Sequence, residues 1–153
     1  MALWYRIHKK KEIAHVFSGD GGLFVSGRWN HLGRRAVYCS ESIALASMEF
    51  LSNHGLSISG FTCNRFSIDI PENLITRFEL QQLPTSWRAT PATNVSRDFA
   101  DANLFQAGGP LGIAVPSIMV PEEFNLVINP LHGDYPEVLA NVRHLGTYQA
   151  PVR

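Results

Sequence analysis

The sequence predicts an α+β domain, and three observations carry that reading. Strand-like and helix-like runs follow one another without the regular alternation that builds a parallel βαβ sheet. The chain of 153 residues fits one domain spanning 1–153, large enough to bury a real core. Residues 18–33 form a glycine-rich loop of a length that, in a compact domain, marks a functional or mobile segment.

The elements follow in order. Leu3 to His8 alternates and is rich in aromatics, so it reads as a strand. Lys9-Lys10-Lys11 is a solvated turn, and the long loop comes next. Ala36 to Cys39 is a short buried strand. Ser42 to about Asn53 is the clearest helix, with Ser40 or Ser42 as its cap and Glu41 near the positive end of its dipole. Ile43, Ala44, Leu45, Ala46, Met48, Phe50 and Leu51 fall nearly all around that helix, which predicts burial on more than one side. Phe61 to Ile70 is a strand, with Phe61, Cys63, Phe66, Ile68 and Ile70 as core positions, and Pro71 ends it. Ile75 to Leu80 suits another strand. Thr85 to Thr93 is a loop, and Ser96 to Phe105 suits a helix. Leu111 to Val115 and Phe124 to Ile128 are apolar strands. Pro130, Gly133 and Pro136 mark irregular chain before a last strand, Arg143 to Tyr148.

Composition narrows the function. Thirteen basic and thirteen acidic residues cancel, whereas a generic nucleic-acid binder carries a basic excess. Direct nucleic-acid binding is therefore not expected; a small anionic ligand needs only one or two placed arginines. Cys39 and Cys63 form no C-x-x-C pair and read as buried thiols in a reducing compartment. No apolar segment follows the basic residues at the N-terminus. The longest uncharged stretch, Ala102 to Pro121, is broken by glycine and proline. Neither a secretory signal nor a membrane span is expected, and the cytoplasm is the default location.

Among polar residues, Glu49 is the sharpest signal. A lone carboxylate in an uncharged, apolar helix must be paired, protonated or used. A structural ion pair is the competing reading. Arg28 lies in Gly27-Arg28-Trp29-Asn30, where glycines allow close backbone approach to a ligand and the guanidinium offers a fork suited to phosphate. Without that context it reads as a surface arginine beside a buried Trp29. No P-loop or dinucleotide fingerprint is present. Ser117 has no nucleophile elbow around it and alone reads as a turn or capping serine. The six histidines show no metal-binding spacing, so no metal is expected. His132 reads as a turn histidine or as one near a pocket.

Taken together, these pieces resemble the RES family of bacterial toxins. The matching text is Tyr5-Arg6-Ile7, Gly27-Arg28-Trp29-Asn30, residues 36–42 (Ala-Val-Tyr-Cys-Ser-Glu-Ser), Ala44-Leu45-Ala46 with Glu49, Val115-Pro116-Ser117 and Asn129-Pro130-Leu131-His132. It spans nearly the whole chain in order; residues 60–105 carry little of it. The resemblance implies an ADP-ribosyltransferase-like split β core with flanking helices, and cleavage of the nicotinamide–ribose bond of NAD⁺ by a glycohydrolase or phosphorylase. It implies Arg28, Tyr38, Glu49 and Ser117 as catalytic residues, with Tyr38 against nicotinamide. Arg6, Asn30, Asn129 and His132 would contact the substrate. NAD⁺ would be a substrate, with phosphate as the candidate co-substrate, and no cofactor is needed. A DNA-binding Xre-type antitoxin would block the site, and the resemblance leaves room for a homodimer within that complex. The alternatives from the residues are a protein ADP-ribosyltransferase using the same cleft, and a non-catalytic partner-binding module. An RNase is disfavoured by the neutral charge.

Overall fold

In the computed structural model, residues 2–54 and 62–149 are described. Strand β1 (Ala2–His8) sends Trp4 to one face and Ile7 to the other, so both faces of the sheet are covered. The basic turn leads to a short helix α1 (Ile13–Val16), whose Val16, with Phe17, anchors one core. Residues 18–33 hold a further one-turn helix, α2 (Gly21–Phe24), rather than loop throughout. Backbone bonds Gly33 N–H to Gly22 O and Gly27 N–H to Asn30 O, with an Asp20–Arg35 ion pair, tie the segment down.

Strand β2 (Val37–Ser40) leads into α3 (Ile43–His54). Ser42 caps this helix by accepting the Leu45 N–H at 3.0 Å. The helix buries one face only, through Leu45, Ala46 and Phe50, while Met48 and Leu51 stay 41% and 38% exposed. The expectation of burial on several sides fails because α3 lies on the outside of the sheet, against β1, β3 and β7, with Ala44, Met48 and Leu51 on its outer stripe.

Strand β3 (Thr62–Ile70) is buried on both faces: Cys63 lies under α3, and Phe66, Ile68 and Ile70 fill the opposite core. Phe61 lies outside the described residues. Strand β4 is shorter than expected, Ile75–Arg77, and a 3₁₀ turn at Leu80–Gln82 follows it. Helix α4 runs Asn94–Asn103, starting where the Thr93 hydroxyl accepts the Val95 N–H, two residues before the expected start. Strands β5 (Gly112–Pro116) and β6 (Phe124–Ile128) supply the most buried ladder. The stretch expected to be irregular contains α5 (Tyr135–Leu139), whose Tyr135 and Val138 are buried; Pro136 sits in its first turn, where a missing N–H costs nothing. Strand β7 (Arg143–Gln149) closes one edge.

The sheet has seven strands in the order β4-β5-β6-β2-β1-β3-β7. Only β4–β5 is parallel. The ladder is continuous within β4-β5-β6-β2 and between β1 and β3, which pair from Ala2↔Ile70 to His8↔Asn64, while the β3–β7 pairing shifts register once, between Arg65 and Phe66. Between the halves, β1 and β2 pair only at Tyr5↔Ser40. Beyond that point the strands diverge and a cleft opens. One core runs under both halves; on the other face α3 covers one half and a Trp29–Trp87–Leu104 cluster lies over the other.

Candidate active site

The cleft has two lobes with a common wall of Tyr38, Glu49, Asn53 and Asn125. One lobe, about 300 Å³, lies where β1 and β2 part and is lined by Arg6, His8, Lys9 and His54 among others. The other, about 440 Å³, lies over the Gly27–Arg28 turn and is also lined by Arg97. Each volume falls in the range of small-molecule sites.

Glu49 is held at the wall by two donors on one oxygen. Ser117 Oγ donates to Oε1 at 2.8 Å and Asn125 Nδ2 donates to the same atom at 2.8 Å. Among the described residues Oε2 receives no hydrogen bond, so it is available to a ligand. The amide of Asn125 is oriented by the carboxylate, which accepts only, and its Oδ1 on the other side accepts from Ser40 Oγ at 2.7 Å. Ser117 is completely buried, and its Oγ also accepts the Met119 and Val120 N–H groups at 3.1 and 3.2 Å. It does not line either lobe. Its geometry is that of a positioning residue behind the carboxylate.

Arg28 projects from the glycine loop, and its Nη1 donates to Trp87 O and Ala89 O, both at 2.8 Å. This fixes the guanidinium at the edge of the larger lobe. Burial lowers its pKa, and Glu49 and Tyr38 oppose that shift; an arginine so placed stays cationic. Gly27 is required here: a Cβ would lie 2.6 Å from the Tyr38 hydroxyl, and closer still to Asn30 Oδ1. Tyr38 donates to Asn30 Oδ1 at 2.6 Å and accepts the Trp29 N–H at 3.2 Å. Burial raises the phenol's pKa, so it remains protonated, and its ring forms part of the wall.

Arg6 lines the smaller lobe, but its Nε and Nη1 donate to Val16 O (3.0 Å) and Tyr38 O (2.8 Å). The second bond crosses from β1 to β2 where the ladder has stopped, so Arg6 staples the diverging strands. Asn30 does not reach the cleft. It is 2% exposed, and its Nδ2 is directed at the carbonyls of Val25, His31 and Arg34, so it organises the loop behind Tyr38. Asn129 and His132 do not reach it either. Both close the turn after β6, Asn129 accepting the Leu131 N–H and His132 Nδ1 the Asp134 N–H. Asn129 is four residues beyond Asn125 along the strand direction, about 13 Å at the usual rise, at the end of β6 away from the cleft. The sequence reading missed Asn125 and Arg97. Asn125 carried the same signal as Glu49, a lone polar residue in an apolar element; Arg97, on an ordinary amphipathic helix, carried none.

Both free cysteines are buried, and burial pushes the Cys39 thiol up to about 12, which removes it as a nucleophile at neutral pH. Among the described residues, His31, Asp98 and Asp101 are the one group able to converge on an ion. They line neither lobe, and His31–Asp98 (2.7 Å) and Arg34–Asp101 (3.6 Å) contacts already occupy them. Among the described residues no helix is long and apolar enough to cross a membrane.

A seven-stranded α+β sheet split into two halves, with a tethered glutamate on the wall of a cation-lined cleft, places the chain in the ADP-ribosyltransferase-like fold class. The chain belongs to the RES family: the model of the RES domain matches residues 3–149. A protein named Toxin Res from Yersinia enterocolitica is 35% identical over 92% of this chain and 92% of its own length. Another Toxin Res, from Photorhabdus laumondii, is 33% identical over 92% and 90%. A Prs ADP-ribosylating toxin from a Sphingobium species is 38% identical over 79% of this chain and 76% of its own. In fold, the chain is similar to a chain of the M. tuberculosis MbcT–MbcA toxin–antitoxin complex, with a TM-score of 0.64 over 98% of this chain and 84% of that one, at 15% identity. The expected fold class, α+β with an ADP-ribosyltransferase-like split core, holds.

Proposed function

We propose that this RES-domain toxin degrades NAD⁺ by breaking the nicotinamide–ribose bond. The observation that carries the proposal is the Glu49 carboxylate, tethered through Oε1 and open at Oε2, on the wall between two cationic lobes. As the C–N bond breaks, its electron pair passes to the nicotinamide nitrogen and neutralises the pyridinium. Positive charge appears on the ribose. Glu49 lies where that charge develops, and such fixed electrostatic stabilisation is worth roughly 10²–10³ in rate. Water then adds to the anomeric carbon and loses a proton, giving nicotinamide, ADP-ribose and H⁺; phosphate in place of water gives the phosphorolytic product. The Tyr38 ring supplies a face for the cationic nicotinamide, and Arg28 takes the diphosphate. No metal takes part in this scheme.

The Sphingobium relative favours a second reading, in which the acceptor is a protein side chain. The test is incubation of purified protein with NAD⁺, with and without phosphate, and identification of the products by mass spectrometry. Free nicotinamide with ADP-ribose or its 1-phosphate supports degradation. Intact NAD⁺ under all conditions refutes it, and NAD⁺ consumed only when a protein acceptor is added selects the transferase. The structural neighbour belongs to a toxin–antitoxin complex, which supports an antitoxin partner, and we propose that this partner is of the Xre type and sits over the cleft. Antitoxin binding should therefore weaken as NAD⁺ is raised; unchanged affinity would place the contact elsewhere.

A further inference from the structure

Arg97 belongs to the first turns of α4, yet its side chain reaches the glycine loop. Its Nε donates to Gly27 O at 2.8 Å, and the preceding residue, Ser96, donates from Oγ to Arg28 O at 2.5 Å. Two adjacent carbonyls of the loop are thus lashed to one helix end. The result is two guanidiniums, Arg28 and Arg97, on the lining of a single lobe whose only acidic residue among the described ones is Glu49. Neither has a carboxylate within ion-pair distance among the described residues. The acids that follow Arg97 on α4 are turned elsewhere: Asp98 pairs with His31, and Asp101 lies against His31 and Arg34. Arg97 Nη1 reaches Asn94 Oδ1 at 3.2 Å, which leaves Nη2 without a hydrogen bond among the described residues. Pro91 and Ala92, just ahead of the ten-residue helix, line the same lobe, so the positive end of α4 adds to the field.

Two like charges fixed side by side in a partly enclosed lobe repel, and an anion between them relieves the repulsion. Arg6 cannot serve as the second cation there, since it lines the other lobe and spends two of its nitrogens stapling β1 to β2. We propose that Arg97 is a substrate-binding residue which, with Arg28, clamps the diphosphate of the dinucleotide between the Gly27–Arg28 turn and the start of α4. The identity of that anion rests on the NAD⁺ reading above; the anion subsite itself does not.

The test measures binding rather than turnover, by calorimetry, with NAD⁺ and with inorganic pyrophosphate, in a Glu49→Gln protein whose slowed turnover leaves the substrate largely intact during the titration. Arg97→Gln is the informative variant, because the glutamine Nε2 stands where the arginine Nε was. The tether to Gly27 O is kept and the charge is lost. Loss of a charge-assisted contact predicts that both affinities fall about 10- to 100-fold. Affinities within about twofold of the parent would overturn the proposal and leave Arg97 as a tether. Should Arg97→Gln fail to fold, Arg97→Lys decides against Arg97→Met: the lysine keeps charge without the tether and should bind pyrophosphate more tightly, and equal or reversed affinities overturn the proposal. If pyrophosphate binds in an Arg97-dependent way and NAD⁺ does not bind at all, the anion subsite stands and the NAD⁺ reading falls.

Discussion

Replacing Ser117 by alanine separates two roles that a buried serine beside the Glu49 carboxylate can have. The hydroxyl makes three hydrogen bonds: a donation to Glu49 Oε1 at 2.8 Å, and acceptance from Met119 N–H and Val120 N–H. Alanine deletes all three in a site with no solvent exposure. The lost bond to a charged acceptor is worth about 1.5–3 kcal/mol, and two stranded N–H groups add to it, so a stability loss of roughly 2–4 kcal/mol is expected. In a domain of this size that lowers the melting temperature by roughly 5–15 °C. Among the described residues, Glu49 then keeps Asn125 alone as its anchor. If the missing bond is felt in full at the transition state, kcat falls about 10- to 100-fold. KM should stay within about twofold, because Ser117 does not line the cleft. Steady-state kinetics on the folded variant, at a temperature well below its melting point, measure both. A tenfold rise in KM with kcat preserved would refute the positioning role and make Ser117 a substrate contact.

Other substitutions probe the remaining parts. Glu49→Gln keeps an oxygen acceptor for Ser117 and Asn125, so it should melt close to wild type while kcat drops roughly 10²–10³-fold; wild-type turnover would reduce Glu49 to a structural residue. Arg28 holds Trp87 O and Ala89 O through Nη1 alone and keeps its other nitrogens for the lobe, whereas the single nitrogen of Arg28→Lys cannot serve both, so its NAD⁺ affinity should fall about tenfold or more. Unchanged affinity would make Arg28 a generic cation. His8 is pushed down to about 4 by burial and by Arg6, His15, His54 and Lys10, and its Nδ1 accepts the Lys10 N–H, which needs the neutral ring. The unfolded chain therefore binds the extra proton between pH 6.5 and about 4, and stability falls as pH falls through that window. With solvent screening the loss is roughly 1–2 kcal/mol, and it should be absent in His8→Asn when melting is followed against pH. Equal pH profiles for the two proteins would remove His8 from the account.

The strands were legible in the sequence because each carries its own signal: alternation in Leu3 to His8, apolar runs at 111–115 and 124–128. Glu49 was legible for the same local reason, a charge out of place in its helix. Features decided by what packs where were not. The one-sided burial of α3 depends on its position outside the sheet, not on its own residues. The short helices at Ile13–Val16, Gly21–Phe24 and Tyr135–Leu139 are too brief to show a period, and are held by tertiary contacts such as Tyr135 Oη to Phe17 O at 2.6 Å. The family pattern placed Arg28, Tyr38, Glu49 and Ser117 close together in the fold. It did not distinguish side chains that line the cleft from those, like Asn30 and Ser117, that brace it from behind.

The single-pair junction between β1 and β2 gives Glu49 a second duty. Its helix rides on the β1-β3-β7 half, through Tyr5, Ile7, Cys63 and Tyr148. Its two partners, Ser117 and Asn125, belong to the β5–β6 side. The two hydrogen bonds to Oε1 therefore bolt one half of the sheet to the other where the backbone ladder has ended, in parallel with the Arg6 staple. A side chain with no acceptor at position 49 would unfasten the halves as well as remove the charge. Cohesion and the proposed chemistry are drawn from the same carboxylate, and the substitutions able to change one without the other are confined to those that keep an oxygen in place.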